Sequence, residues 1–207
     1  MSRNCFKILK DFDKILNCFI YNYNSEALEV MTILEILGEL THHDLITRLV
    51  IFFSNNDHRY TDMRYLKFDN KTIHDVVELV KLLKTDSNTH NKPEVKMLLG
   101  EIGVTQFCRL IEIKQILNQV NYLNNKDELN NSRILLKEVL NNNECYLPKQ
   151  LAVNGNDLLE IGYKQGEELG KALKLLLEKV IEETIENDKE VLLKEARKML
   201  RWGNKND

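Results

Sequence analysis

The sequence predicts an all-α fold, a helical bundle followed by a compact helical tail. Helix-breaking residues are sparse, with two prolines and eight glycines in 207 residues. Apolar residues recur every three or four positions through most of the chain, which is the spacing of one buried helix face. The abundant Leu, Lys and Glu residues favour helices, and no segment shows a convincing strand pattern.

Candidate caps and breaks in the apolar spacing delimit the individual helices. Ser25, Asp44 and Asn70 precede three of them as candidate N-caps. The apolar run 49–53 is assigned to a helix because its neighbours are helical, whereas the polar stretch 54–63 predicts a loop. The predicted helices lie in residues 5–19, 26–40, 45–53, 71–83, 93–103, 105–120, 124–143, 167–185 and 189–200.

The overall charge does not indicate a nucleic-acid partner. The net charge is -3 and the pI is about 6.0, so any basic face has to be local. No apolar run approaches the roughly 18 residues of a membrane span, and the N-terminus lacks a signal-peptide core. No two cysteines have zinc-finger spacing, which predicts reduced, mostly packed thiols in a cytoplasmic protein. They are Cys5, Cys18, Cys108 and Cys145.

Four of the eight glycines fall within residues 151–173. Gly155 is expected in a tight turn with positive φ, followed by Asp157 near a helix start. Gly162 is expected to end that short helix, and Gly166 precedes the next one. A glycine inside a helix costs about 1 kcal/mol relative to alanine, so close approach of another backbone is the expected reason for Gly170. The alternative is an anion site at the helix start near Gly166.

The sequence offers no catalytic constellation and predicts no cofactor. Neither a phosphate-binding loop nor a nucleophile elbow is present. His42 and His43 are neighbours, but side chains about 100° apart on a helix do not converge on one metal. Asp57 and His58 are interpreted as solvated loop residues.

The tail nevertheless carries a specific pattern, an N-G-x-D-L motif followed by G-x-x-x-G-x-x-x-G and a long helix. Its residues are Asn154, Gly155, Asp157, Leu158, Gly162, Gly166, Gly170, Leu173, Leu176 and Asn187. With these residues the sequence resembles the C-terminal region of bacterial class II CCA-adding enzymes, within the tRNA nucleotidyltransferase and poly(A) polymerase family. Segments 6–24, 66–83 and 96–115 resemble the body of the same family.

This resemblance implies a helical body at residues 1–147 and a helical tail at 148–207. The nucleotide-transferring head of the family has no counterpart in the sequence. Many relatives carry a metal-binding His-Asp pair after an apolar run, and here Ser54 and Asn55 stand at those positions. Because a serine cannot replace a metal-bound imidazole at neutral pH, the resemblance implies a degenerate HD-type scaffold without its metal.

The resemblance also implies a function, a non-catalytic module that grips the acceptor and TΨC region of tRNA or a tRNA-like RNA through shape and phosphates. DNA and membrane partners are not expected, whereas a separate catalytic subunit is a possible partner. Cations that would meet a phosphate backbone are Lys164, Lys171, Lys174, Lys179, Arg197 and Arg201, with Lys194 and Lys198 as further candidates on the last helix.

Three alternatives stay open. The first is that the chain is the C-terminal fragment of a full CCA-adding tRNA nucleotidyltransferase, whose catalytic residues lie outside it. It would instead be a protein-interaction scaffold that has lost RNA binding, an alternative that the acidic net charge favours. An HD phosphohydrolase would require bound divalent metal.

Overall fold

The computed structural model describes residues 44–54, 59–85, 89–119 and 126–203. Within these ranges the fold is all-α, without strands, as the sequence predicts. The helices are α1 (Leu45–Phe53), α2 (Arg59–Tyr65), α3 (Asn70–Lys84), α4 (Lys92–Gln119), α5 (Lys126–Asn141), α6 (Gly155–Glu160), α7 (Glu167–Ile181) and α8 (Lys189–Gly203), and a 3-10 turn at Pro148–Gln150 joins α5 to α6. No helix in these ranges is long and apolar enough to cross a membrane. The predictions for 5–19, 26–40, Ser25, Cys5 and Cys18 lie outside the described residues.

The chain forms two compact units, and each combines two separate stretches. The first unit contains residues 1–87 and 108–129, and the second contains 88–107 and 130–207. Helix α4 therefore contributes its first part to the second unit and its last part to the first. The division into domains at residues 1–147 and 148–207 stays a prediction.

In the first unit, α1 begins at the predicted cap, Asp44. Its Oδ1 accepts hydrogen bonds from the amides of Ile46 (2.8 Å) and Thr47 (3.2 Å), and Arg109 Nε donates to Oδ2 at 3.1 Å. Burial alone would raise the pKa of Asp44, but the hydrogen bonds from Thr47 and Arg109 outweigh burial and lower it. The apolar run of α1 packs against α3, which confirms its assignment to a helix.

The loop predicted for residues 54–63 is wrong, because α2 begins at Arg59 within it. Met63 is fully buried and anchors this short helix, which packs on α3. A single apolar anchor among polar residues produces no periodic pattern, so the sequence did not reveal the helix. The cap of α3 is Asp69 rather than Asn70, and its Oδ1 accepts from the Thr72 amide at 2.9 Å.

Helix α4 breaks where the sequence predicts a boundary between two helices. Gly103 has φ 75° and ψ 165°, values that interrupt the helical path between residues 92 and 119. Nearby, Gly100 lies against the backbone of Tyr146, and a Cβ added to it would be 2.8 Å from the Tyr146 carbonyl oxygen. A close approach between backbones therefore exists in the second unit, at Gly100.

The rest of the second unit packs α6, α7 and α8 around one apolar core. Leu158, Leu176, Leu192 and Ala196 are fully buried in it. Cys145 is also buried, as expected for a packed thiol, but Cys108 is exposed in the first unit.

Polar bonds close the ends of these helices. Asn154 caps α6 by accepting from the Asn156 and Asp157 amides, and Asp157 accepts from the Asn154 amide at 2.8 Å. The carboxylate of Asp157 also pairs with Lys189 at the start of α8, at 2.6 Å. The Asn187 amide group accepts from Ala152 N and donates to the Gln150 carbonyl, both at 2.9 Å. Asn187 thereby fixes the chain before α8 to the chain before α6.

The four tail glycines have different roles from one another. Gly162 ends α6 with φ +108°, as predicted, and Gly166 precedes α7 with φ +115°. Gly155 is the first residue of α6 and is not among the glycines with positive φ, so the prediction of a positive-φ turn there is wrong. The close approach predicted at Gly170 is also wrong, since a Cβ there would meet nothing within 4 Å.

A chain of ion pairs runs through the second unit. Lys96 has only 4% of its side chain exposed and pairs with Glu144 at 2.6 Å and with Glu183 at 3.1 Å. Lys92 forms ion pairs with Glu144 at 3.1 Å and with Glu138 at 2.8 Å. Burial alone would raise the pKa of Glu144, but hydrogen bonds from Lys96 and Lys92 outweigh it and lower the pKa. These pairs connect α4, the end of α5 and the end of α7.

The glycine geometry predicts opposite effects for two alanine substitutions. Gly170→Ala should stabilise the protein by about 0.5–1 kcal/mol, because it adds helix propensity in open space. Gly162→Ala should destabilise it by at least about 1 kcal/mol, because a Cβ disfavours positive φ. Urea unfolding followed by circular dichroism measures both. A loss of stability in Gly170→Ala would contradict the open space seen at that position.

The ion-pair chain predicts a cost for removing its buried member. Lys96→Met should lower the free energy of unfolding by about 2 kcal/mol. This loss is smaller than that expected when one partner of an isolated buried ion pair is removed, because Glu144 still pairs with Lys92 in the variant. Lys174→Met, on an exposed lysine of α7, is the matched control and should change little.

The same chain predicts a pH dependence. Because the folded-state pKa of Glu144 lies below its ordinary value of 4.5, its stabilising contribution is complete above that pH and is lost as pH falls through the lower, folded-state pKa. Glu144→Gln should therefore lose less stability than the wild type between pH about 7 and about 3.5. If the free energy of unfolding fell equally with pH in the two proteins, Glu144 would not be the source of this pH dependence.

Candidate functional site

Of the two positions at which the resemblance implies a lost His-Asp pair, the structure describes Ser54 but not Asn55. Ser54 follows α1 as its C-terminal cap, and its Oγ donates to the Ile51 carbonyl at 2.9 Å. Its hydroxyl is therefore held by the backbone of α1. Among the described residues, no three His, Cys, Asp or Glu side chains form a group that could hold a metal. Because Asn55, Asp57, His58, His42 and His43 lie outside the described residues, the loss of the metal site stays a prediction.

Two candidate cations lie on the outer face of α7, where carboxylates accompany them. Lys171 pairs with Glu167 at 2.8 Å, and Lys174 lies 3.9 Å from Glu178. All four residues share one face of the helix, since they are three or four positions apart. This face has no excess of positive charge with which to attract a phosphate backbone.

A third candidate, Lys179, is part of the packing between α7 and α8. Its Nζ donates to Glu195 Oε1 at 2.5 Å, and Lys198 donates to the other oxygen of Glu195 at 3.0 Å. The hydrogen bonds from Lys179 and Lys198 lower the pKa of Glu195. Glu195 is mostly buried, so an RNA phosphate would have to displace an internal partner of Lys179.

Helix α8 arranges its cations differently. Its buried face carries Leu192 and Ala196, while four exposed basic side chains point away from the core. At 100° per residue these four fall within an arc of about 100°, and they span about 10 Å along the axis. We call them the basic stripe: Lys194, Arg197, Lys198 and Arg201.

The basic stripe has little carboxylate compensation. Lys198 pairs with Glu195, but Lys194, Arg197 and Arg201 form no ion pair with any residue that the structure describes. The acid nearest in sequence on the same face is Glu190, one turn before Lys194. The stripe therefore retains net positive charge within a chain whose net charge is -3.

Lys164 lies in the turn between α6 and α7, next to a contact with α8. The hydroxyl of Tyr163 donates to the Ala196 carbonyl at 2.8 Å. Lys164 follows Tyr163 directly, and Arg197 follows Ala196. The Lys164 side chain is exposed, while its amide donates to Glu168 at 3.2 Å. The structure thus attaches the Lys164 turn to the helix that carries the basic stripe.

Helical spacing alone placed these cations on faces, but it did not separate compensated from uncompensated ones. Lys194 and Lys198 belong to the stripe as fully as Arg197 does, and a helical projection of residues 189–203 would have shown this from sequence. The bridge from Lys179 to Glu195 joins two helices, and no local spacing predicts it.

Comparisons with known proteins identify the family. The family model described as "tRNA nucleotidyltransferase domain 2 putative" matches residues 40–196, which is 157 of the 207 residues. A CCA-adding enzyme of Limosilactobacillus fermentum (strain NBRC 3956 / LMG 18251) is 44% identical over 52 residues, covering 25% of this chain and 13% of that enzyme. No solved structure matches the chain. With three quarters of its length matched, the chain belongs to the tRNA nucleotidyltransferase domain 2 family.

Proposed function

We propose that this chain is a non-catalytic RNA-binding module that grips tRNA or a tRNA-like RNA through the phosphate backbone. The observation that carries the proposal is the basic stripe of α8, which is exposed and mostly free of carboxylate partners among the described residues. The chain belongs to the tRNA nucleotidyltransferase domain 2 family, which supports tRNA as the RNA that it binds. The acceptor and TΨC arms, which stack into one A-form helix, are the expected binding site.

The mode of binding follows from the chemistry of the stripe. Arg and Lys side chains on one helix face can contact successive phosphates, and arginine does so with two hydrogen bonds. A-form RNA hides its base edges in a deep groove, so such a face recognises shape and charge rather than sequence. Lys164 lies where it would extend the contact beyond α8. Lys171, Lys174 and Lys179 would contribute less, because carboxylates already neutralise them.

The proposal assigns no catalytic step to the described residues. Nucleotide addition, as performed by the CCA-adding relative, would belong to a separate catalytic subunit or to chain beyond this sequence. A cytoplasmic location fits a tRNA partner and is part of the proposal.

A paired mutagenesis experiment tests the proposal. Arg197→Ala/Arg201→Ala should weaken binding to a labelled acceptor–TΨC minihelix by about tenfold or more at low salt. The slope of log affinity against log salt should become shallower by about 1 for each phosphate contact removed. Fluorescence anisotropy over a salt series measures both quantities.

The matched control is Lys171→Ala/Lys174→Ala, which also removes two cations from one exposed helix face. It should change affinity much less, because Glu167 and Glu178 compensate these lysines in the wild type. A minihelix with a different stem sequence should bind equally well. Equal losses in the two double variants would contradict the assignment to α8. No binding by the wild type even at low salt would contradict RNA binding itself and favour the protein-interaction scaffold.

A further inference from the structure

Helix α2 exposes two aromatic side chains in the first unit. Tyr60 is 52% exposed and Tyr65 is 77% exposed, while Met63 is fully buried beneath them. Helical geometry places Tyr60, Arg64 and Tyr65 within an arc of about 140° on the outer face. Burial of Met63 explains why the helix forms, but it does not explain why two rings face solvent.

Arg64 lies over one of these rings. Its guanidinium carbon is 5.7 Å from the centroid of the Tyr60 ring, and its Nη1 donates to the Tyr60 hydroxyl at 3.0 Å. The contact holds a flat cation beside a flat ring on an exposed face. Aromatic rings and guanidinium planes are the two side-chain groups on which unpaired nucleobases stack.

The end of α2 is held in a defined turn. Lys67 adopts φ +62°, and its amide donates to the Arg64 carbonyl at 3.0 Å. The Phe68 amide donates to the Met63 carbonyl at 3.1 Å, which closes the helix in a left-handed cap. Because α2 also packs on α3, the rings are presented from a fixed backbone, which reduces the ordering cost of binding.

The local charge favours a polyanion. Residues 59–71 contain four cations and two carboxylates, a net charge of +2 in a chain of -3. The cations are Arg59, Arg64, Lys67 and Lys71. One of the carboxylates, Asp69, is directed to the start of α3, where it accepts from the Thr72 amide and, at 2.6 Å, from its hydroxyl.

A protein partner fits this face less well. The core of a protein interface combines aromatic with aliphatic side chains. In the described part of the first unit, the large exposed apolar side chains are Leu45, Tyr60 and Tyr65, so α2 offers rings and cations without exposed aliphatic neighbours on the same helix.

We propose that the outer face of α2 is a stacking site for unpaired bases of single-stranded RNA. Tyr60 with Arg64 would stack one base, and Tyr65 a second, while Lys67 and Lys71 contact the connecting phosphates. Stacking on π faces accepts every base, so the site would have little sequence preference. This inference does not rest on the basic stripe of α8, which would hold paired RNA and lies in the other unit.

The test uses the full chain and a short labelled RNA without secondary structure. Tyr60→Ala/Tyr65→Ala should reduce affinity by about tenfold for each base that no longer stacks. Tyr60→Phe/Tyr65→Phe keeps both rings and should bind within about threefold of the wild type. Ile134→Ala is the matched control in the second unit, since Ile134 is 63% exposed and should be without effect.

A second probe separates stacking from charge. An RNA of the same length with abasic sites keeps its phosphates but offers no bases for stacking. The wild type should therefore bind the abasic RNA more weakly than the intact RNA. The wild type and Tyr60→Ala/Tyr65→Ala should bind the abasic RNA with equal affinity. Alanine favours helices, and circular dichroism should show that the variants keep their helical content. Unchanged binding of the intact RNA by Tyr60→Ala/Tyr65→Ala, or equal binding of abasic and intact RNA by the wild type, would overturn the proposal. The paired minihelix should bind Tyr60→Ala/Tyr65→Ala as it binds the wild type, so a failure here is distinguishable from a failure of the α8 site.

Discussion

Lys96 carries a positive charge into the second unit with 4% of its side chain exposed, and the chain around it is arranged to neutralise that charge. A buried ammonium without partners would cost several kcal/mol, so two carboxylates must reach it. Glu144 comes from the segment after α5, and Glu183 from the residues after α7. The backbone of Glu183 adopts φ +57°, which is unfavourable for a residue with a Cβ. The ion pair with Lys96 helps to offset this strain. One lysine of α4 thereby connects the segment after α5 with the residues that follow α7.

The position of α8 in the second unit decides which charges are exposed together at the surface. Asn187 and the pair of Asp157 with Lys189 hold the start of α8, while Tyr163 holds its middle. With these contacts made, Leu192 and Ala196 of α8 are buried, and the four cations of the basic stripe face solvent. Most acids in the described part of the tail act instead as caps or as partners within and between helices. An acidic chain can therefore present a basic face without any excess of basic residues.

Much of the fold could be predicted from sequence, because helix periodicity, caps and breakers act over a few residues. Asp44, Gly103 and Gly162 are examples, since each acts on its own helix end. Helix α2 was missed because it has one buried anchor and no repeat. The close backbone approach was expected at Gly170 but occurs at Gly100, whose neighbour Tyr146 is 46 positions away in the sequence. Contacts of this kind, like the pairing of Lys179 with Glu195, depend on tertiary packing. Patterns within a single sequence do not predict them.

The tail motif that carries the family resemblance is chiefly a folding motif. Asn154 and Asp157 form a cap, Gly162 and Gly166 supply positive φ, Leu158 and Leu176 fill the core, and Asn187 joins two chain segments. None of these side chains is left free for an RNA phosphate. The family match ends at residue 196, before Arg197 and Arg201, so it supports the fold around the stripe more directly than the stripe itself. RNA binding is therefore argued from the uncompensated charge of α8 and the exposed rings of α2, two surface features that the folding motif does not explain.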